Sequence, residues 1–421
     1  MKSSFYFLGT ANPGLQQTIN MSIIFNYIRT KSPISRAKIS KDLGISAPAV
    51  SRAIEKLMEK EYVIETERVK TKRGKRPTPL IINKNKFFVL GIDLGKERVR
   101  MALTNLKGEM VDKYMGSVIL KNKKSVEKII SEVKSFVRKS IENPKVGSSR
   151  IEAICIGVPA AIDINTEKVL STNYYKGWEW KDLGLKDIIE REFNISVFVE
   201  NDANLSAMGE KQYGDGKKYN NIIFIEISNG IGSGIMIDDM LVRGSDGSAG
   251  EIGFTIANSK KLNFKIKDRG FLEEHSSIRS IRGRAVDGIR RGRETIITEM
   301  VNGDIEKVTP SLVCEAALKG DNLANDIITD MVEILTIGII DLILIVNPQL
   351  VVLGGDIFNL PELGKLFINP IKEKIKKSVP FVIPEIKVSS LGGDTCVRGA
   401  SLNAIESTLV KEFPFRAEQD M

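Results

Sequence analysis

The chain has 421 residues, enough for two or three domains, and its 42% hydrophobic and 27% charged residues are ordinary for a globular protein. Its three cysteines lie far apart and form no C-x-x-C pair, which excludes a disulfide scaffold and predicts a cytoplasmic location. The formal net charge is +9, and the excess of positive charge lies at the start of the chain, since residues 1–86 hold 17 Lys and Arg against 6 Asp and Glu. This distribution indicates a polyanion-binding module or, alternatively, a solvated basic surface.

The first predicted elements are three helices. Residues 15–29 repeat apolar side chains at a four-residue step, as an amphipathic helix does: Leu15, Ile19, Ile23 and Tyr27, with Ile24 and Ile28 beside them. Ser35 is expected to cap a second helix, Gly44 to supply a tight turn, and Ser46 to cap a third. The third helix should bury Val50, Ile54, Leu57 and Met58. Two short helices around a glycine turn predict a helix-turn-helix unit.

The start of the third helix is the predicted recognition surface, because a helix-turn-helix places these residues in the major groove. Most of them are small, which permits close approach to the bases: Ser46, Ala47, Pro48, Ala49, Ser51 and Arg52. The alanines suit thymine methyl groups, the serines suit base edges or phosphate, and Arg52 suits guanine or phosphate.

A basic hairpin follows these helices. Alternating residues at 62–67 and 80–82 predict two strands around a turn. The turn carries four cations placed to contact the DNA backbone or minor groove: Lys72, Arg73, Lys75 and Arg76. Three helices alone would also suit a protein-interaction domain, but this wing favours DNA binding.

From residue 87 the pattern changes to α/β. Apolar runs predict buried strands at 88–95, 151–159, 197–200, 221–227 and 350–353. Several end in an acid or a glycine, and residues 228–234 are expected to form a glycine-rich loop. The most apolar stretch, 334–346, contains Asp341 and is too short to span a bilayer, so a buried helix and no membrane partner are expected.

Four motifs carry a family resemblance: Glu-Asn-Asp-Ala-Asn at 200–204, Gly-Glu-Ile-Gly at 250–253, the glycine loop at 229–234, and Val-Leu-Gly-Gly at 352–355. In this order they resemble the ROK family (repressors, open reading frames and kinases) over residues 87–400. The resemblance implies a two-lobed, actin-like or ribonuclease-H-like sugar-kinase fold. With the winged helix-turn-helix in front, the chain resembles the xylose- and N-acetylglucosamine-responsive repressors of that family.

The resemblance also implies roles for residues. Asp202 matches the base of the kinases, and sugar hydroxyls would be bound by Thr172, Asn173, Asn201, Asp202, Glu251 and Glu273. A nucleotide-binding remnant would consist of Asp93, Gly95, Gly230, Gly232, Gly354 and Gly355. The implied division is a winged helix-turn-helix at 1–86, a small lobe at 87–199 plus 397–421, and a large lobe at 200–396.

Departures from the family pattern favour lost kinase activity. Lys96-Glu97 stands where the kinases have Gly-Thr, which brings a side chain and a negative charge to the phosphate site. Phe254 replaces a histidine, and residues 264–271 lack every zinc-binding cysteine, so no metal and no structural zinc are expected. Ala160-Ala161 replaces glycine and would narrow the sugar pocket. No cofactor is expected. ATP with Mg²⁺ would be bound only if kinase activity is retained.

The sequence thus predicts a sugar-responsive repressor, assembled as a homodimer or homotetramer on operator DNA. The alternatives are an ATP-dependent sugar kinase with a DNA-binding head and a constitutive DNA-binding protein with a structural body. Xylose, glucose, N-acetylglucosamine derivatives and phosphorylated sugars all stay open as ligands. The direction of the sugar's effect on DNA affinity also stays open.

Overall fold

The structure is a computed structural model, which describes residues 13–66, 78–95, 98–117, 123–146, 150–170, 184–257 and 269–413. Several predicted features lie outside these residues. They are the wing cations Lys72, Arg73, Lys75 and Arg76, the sugar-side pair Thr172 and Asn173, the Lys96-Glu97 replacement, and most of the segment at 264–271.

The N-terminal part has the predicted winged helix-turn-helix order. Its elements are α1 (Pro13–Lys31), α2 (Arg36–Leu43), α3 (Ala47–Glu59), β1 (Val63–Glu65) and β2 (Leu80–Ile82), and the two strands pair antiparallel. Helix α2 begins where predicted because the Ser35 side chain accepts a hydrogen bond from the Lys38 N–H. It ends at Gly44, whose φ of 65° is the left-handed conformation that glycine adopts easily.

Three details of this region differ from the prediction. Ser46 makes no side-chain capping bond, and α3 starts with Pro48 in its first turn instead. Helix α1 buries Met21, Ile24, Phe25 and Ile28, whereas Ile19, Ile23 and Tyr27 are only half-buried. Met58 is also half-buried, and Ala53 completes the buried face of α3. The neighbours of α1, namely α3 and β2, select its buried face, which is information absent from its own periodicity.

The first large sheet has the strand order β5-β4-β3-β6-β7. These strands are β3 (Phe88–Leu94), β4 (Arg98–Asn105), β5 (Met110–Ser117), β6 (Ile151–Val158) and β7 (Ser196–Asn201). Strands β3, β6 and β7 run parallel, so their carboxyl ends meet at one edge. The sheet is accompanied by α4 (Lys123–Ile141) and α5 (Leu185–Phe193).

The second large sheet has the order β10-β9-β8-β11-β12. Its strands are β8 (Ile222–Ile227), β9 (Ile231–Ile237), β10 (Met240–Leu241), β11 (Leu350–Gly354) and β12 (Glu385–Val388). Residues 231–234 therefore begin a strand, and the expectation of a loop across 228–234 is wrong beyond Gly230. The remaining helices are α6 (Asp202–Tyr213), α7 (Phe271–Ser276), α8 (Ile278–Arg290), α9 (Ile297–Met300), α10 (Pro310–Leu318), α11 (Asn322–Val346), α12 (Asn369–Ser378) and α13 (Thr395–Glu412).

Helices α6 and α13 pack against each other at backbone distance. A Cβ placed on Gly399 of α13 would lie 1.7 Å from the Leu205 carbonyl oxygen of α6. A Cβ placed on Gly209 of α6 would lie 2.4 Å from the Thr395 carbonyl oxygen of α13. Only glycine permits this approach, so the two helices move as one unit.

The apolar stretch at 334–346 lies in α11, as predicted, and is largely buried up to Ile343. Its last turn departs from the prediction, because Leu344 and Ile345 are exposed. Across the described ranges, no helix combines the length and apolar character that a membrane span requires.

Candidate functional site

A cleft of about 1320 Å³, including its open mouth, lies where the two large sheets face each other. Strand ends and helix starts from both sheets line it, which is where an α/β sheet is expected to bind ligands. Its polar lining includes Asp93, Arg98, Arg100, Asn201, Asp202, Glu226, Glu251, Asp356 and Thr395. The structure thus brings together residues that are far apart in the sequence.

Asn201 and Asp202 stand at the junction of β7 and α6. Asn201 caps α6, because its side-chain oxygen accepts from the Asn204 N–H at 3.0 Å. Its amide nitrogen donates to the Ala160 carbonyl oxygen at 3.1 Å, which ties α6 to the end of β6. Burial raises the pKa of Asp202 well above its usual range, and the negative charges of Glu226 and Asp93 add to this. A carboxyl group of raised pKa in a cleft can accept a hydroxyl proton or bind the hydroxyl.

Glu200, the first residue of the motif at 200–204, supports this junction, and no role was predicted for it from the sequence. Its Oε1 accepts from the Asn201 N–H at 2.9 Å and from the Asn204 amide at 3.1 Å. Its Oε2 accepts from Arg243 Nε at 2.8 Å. Glu200 therefore acts as a positioning residue for the start of α6.

Glu251 and Glu273 differ in their position relative to the cleft. Glu251 lines the cleft, and burial together with the charge of Glu273 raises its pKa to about 7. Glu273 is fully buried behind Gly253 and forms an ion pair with Arg269 at 3.2 Å. Of the predicted sugar-binding residues that the structure describes, Asn201, Asp202 and Glu251 face the cleft, while Glu273 lies behind it.

The same cleft contains most of the predicted nucleotide-binding remnant. Asp93, Gly95, Gly230, Gly232 and Gly355 line it. Gly354 lies within β11, where an added Cβ would meet the Phe224 ring at 2.0 Å, so it serves strand packing.

Glu226, on β8, lines the same cleft. Its Oε1 accepts from Ser228 Oγ at 2.7 Å. Its pKa is raised to about 7, mainly by burial and also by the charges of Asp93 and Asp356, while the hydrogen bond from Ser228 and the charge of Arg100 lower it in part. Glu226 therefore exchanges its proton near neutral pH.

Glu226 is expected to make stability depend on pH. Its pKa is about 7 when folded and ordinary when unfolded, so the folded state holds an extra proton between about pH 4.5 and pH 7. Stability should therefore fall as pH rises through this window. Glu226→Gln should remove a loss of about 3 kcal/mol above about pH 7. Melting temperature against pH tests this, with exposed Glu294→Gln as the control, and an unchanged pH profile in Glu226→Gln would contradict it.

The predicted DNA-recognition residues form one accessible surface at the start of α3. Ser46, Ala47, Pro48 and Arg52 are exposed, and Ala49 and Ser51 are half-exposed. The opposite face of α3 packs into the core through Val50, Ile54 and Leu57. The helix is therefore held by its apolar side while its small polar side faces outward.

Sequence comparison accounts for both parts of the chain. The ROK family profile matches residues 89–407. The chain belongs to the ROK family. A winged helix-turn-helix DNA-binding profile matches residues 22–64.

A Caldicellulosiruptor bescii protein named xylose repressor is 30% identical over 402 residues, which is 94% of this chain and 98% of that protein. A Thermotoga maritima glucokinase is 28% identical over 324 residues, 75% of this chain and 96% of that enzyme.

Structural comparison shows the same arrangement. A crystal structure of a ROK family transcriptional regulator, a homologue of the E. coli MLC protein, has a TM-score of 0.76 with this ROK protein. The two are 24% identical, and the match covers 94% of this chain and 98% of that one. The predicted fold, a winged helix-turn-helix followed by a two-lobed sugar-kinase-like body, is confirmed.

Proposed function

We propose that this ROK protein is a cytoplasmic, sugar-responsive transcriptional repressor, which binds operator DNA through α3 and the wing and is released by a sugar in the cleft. The observation that carries the proposal is the coexistence of an exposed recognition helix and a polyol-compatible cleft containing Asn201, Asp202 and Glu251. The xylose repressor relative supports both the operator and the sugar, and makes xylose the first ligand to test. Neither step requires a cofactor, and structural zinc is expected to be absent.

Helix α13 supports coupling between the cleft and the head. Its first residues, Thr395 and Cys396, line the cleft. At its other end Phe413 stacks on Phe25 of α1, with ring centroids 4.3 Å apart. Arg29 of α1 also pairs with Glu406 of α13 at 2.6 Å. A sugar that favours one position of α13 would thereby favour one position of the head.

Exposed apolar side chains support assembly of a homodimer or homotetramer. Ile337, Leu344 and Ile345 of α11 are exposed, and so are Phe381 and Val382 just before β12. Both segments end at one edge of the second sheet, because β11 and β12 are adjacent and parallel. Apolar side chains grouped on a surface are typical of protein interfaces. Two copies would supply the paired recognition helices that a pseudo-palindromic operator requires.

The proposal is tested by titrating the full-length protein onto duplex DNA from upstream of its own operon, with and without xylose. We expect salt-sensitive binding that xylose weakens. Arg52→Ala should lower operator affinity by about 5- to 100-fold through loss of a base or phosphate contact. Asp202→Asn should leave operator binding intact and weaken sugar-induced release by about tenfold or more.

Two controls accompany this titration. Arg150→Ala removes an exposed arginine from the body, and Asp187→Asn changes an exposed carboxylate of α5. Both should behave as the wild type. Absence of operator binding by the wild type would refute the repressor, whereas binding that no sugar alters would favour the constitutive DNA-binding protein.

A sugar kinase with a DNA-binding head is the second candidate. The buried Asp202, whose pKa is raised, favours it, because it lies in the same cleft as Gly230, Gly232 and Gly355. Only this function would use ATP and Mg²⁺. ADP release that depends on sugar and disappears in Asp202→Asn would establish it.

A further inference from the structure

An ion pair lies in the lining of the cleft. Asp93 and Arg100 are directly opposite each other in the antiparallel β3–β4 pair, so both side chains lie on one face of the sheet. Arg100 Nη1 donates to Asp93 Oδ2 at 3.1 Å. The exposed fractions of the two side chains are 19% for Arg100 and 8% for Asp93, so this is a largely buried pair that still borders the cleft.

Arg100 is also held on its other side. A Cβ placed on Gly393 would lie 2.8 Å from Arg100 Nη2 and 3.1 Å from its Cζ. The guanidinium therefore fills the space between the end of β3 and the turn that precedes α13. Its orientation is fixed by the pairing with Asp93 and by this close backbone.

The surrounding chemistry would otherwise suit a metal-bound phosphate. Gly95, Gly230 and Gly355 bring backbone close to the cleft, and Gly355 has a φ of 96°. Asp93 presents a carboxylate at the end of a strand, and carboxylates with phosphate oxygens are the usual ligands of Mg²⁺. However, Asp93 already has a guanidinium on one oxygen, and that positive charge repels a metal cation at the same place.

We propose that Arg100 is an internal counter-ion that replaces the metal and so keeps metal–nucleotide complexes out of this cleft. Without a metal, the carboxylates of Asp93 and Asp356 disfavour a polyphosphate, because the charges of Arg100 and Arg98 are already committed to these two groups. Arg100 thereby determines specificity, since it disfavours a metal-bound phosphate at Asp93 while leaving Asn201, Asp202 and Glu251 available to a ligand. This proposal does not depend on repressor function.

The test is calorimetric titration of the full-length protein with ADP and with AMPPNP, each with and without Mg²⁺. The wild type should bind neither nucleotide measurably. Arg100→Ala frees Asp93 and should gain Mg²⁺-dependent nucleotide binding by at least about tenfold in affinity. Arg100→Gln keeps a hydrogen-bond donor for Asp93 while removing the charge, and should show the same gain if the alanine variant does not fold.

Arg98→Ala is the matched control. Arg98 lies on the same strand, lines the same cleft and pairs with Asp356 at 3.6 Å, but its removal leaves the Arg100–Asp93 pair intact. It should bind no nucleotide. The proposal is overturned if the wild type binds nucleotide and Arg100→Ala weakens it, since Arg100 would then be a phosphate ligand. It is also overturned if a folded Arg100 variant binds no better than the wild type. The titration uses neither DNA nor sugar, so its failure is separate from that of the repressor proposal.

Discussion

Gly399→Val is expected to lower the melting temperature of the protein by roughly 10 °C, because it separates two helices that touch through their backbones. The new Cβ would lie 1.7 Å from the Leu205 carbonyl oxygen. Neither partner can rotate away, since Leu205 contributes a main-chain atom within α6 and Gly399 lies within α13. Relief requires the helices to move apart, which weakens their packing.

Gly283→Ala is the control for this change. Gly283 also lies inside a helix, α8, but an added Cβ would meet nothing within 4 Å. Alanine at such a position should stabilise the protein by about 0.5–1 kcal/mol. Thermal unfolding of both variants, followed by circular dichroism, makes the comparison. A Gly399→Val protein that melts like the wild type would show that α6 and α13 are not held in close contact.

The same physics explains one error in the sequence-based prediction. Residues 228–234 contain three glycines, and such density is typical of a loop. In the structure Gly234 lies in β9, where an added Cβ would be 2.3 Å from the Ala203 carbonyl oxygen. The glycine is thus explained by α6 packing closely on β9. Glycines required by a close approach between distant segments therefore produce the same local sequence pattern as glycines in a turn.

The acidic residues at strand ends were predicted from the sequence more successfully than the residues that they contact. The acid at the end of β3 follows from the local strand pattern and the pair at the start of α6 from the motif at 200–204, and the structure brings Asp93 and Asp202 into one cleft. The sequence indicated Asp93 but not Arg100. An antiparallel register of β3 with β4 would have found Arg100 opposite Asp93. That Glu273 lies behind Glu251 could not be found this way, because it depends on tertiary packing.

The family resemblance made the residues of the cleft identifiable, but the connection between cleft and head emerges only from the structure. Helix α13 is 18 residues long, and its two ends belong to different surroundings. The first turn borders the cleft near Asp93, while the residue after its end packs into the head. Hydrophobic residues of α13 therefore pack on two different neighbours, so they do not form the single apolar stripe that identifies an amphipathic helix in a sequence.

Phe413→Ala is expected to weaken this connection most strongly. The Phe413 ring is 3% exposed, stacks on Phe25 and meets Tyr62 edge-on with centroids 5.0 Å apart. Removing a buried ring of this kind costs about 3–5 kcal/mol of packing. Because the lost contacts join the head to α13, the head should unfold at a lower temperature while the body melts as before.

The change should also separate sugar binding from DNA release. Sugar affinity should be unaffected, since the residues of the cleft are unchanged, but the sugar-induced loss of operator affinity should shrink by about tenfold or more. Calorimetry with xylose and operator titration with and without it measure the two effects. Val410→Ala is the control, because Val410 lies on the same helix with 47% of its surface exposed. Full sugar-dependent release in a folded Phe413→Ala protein would mean that the head senses the cleft through another contact.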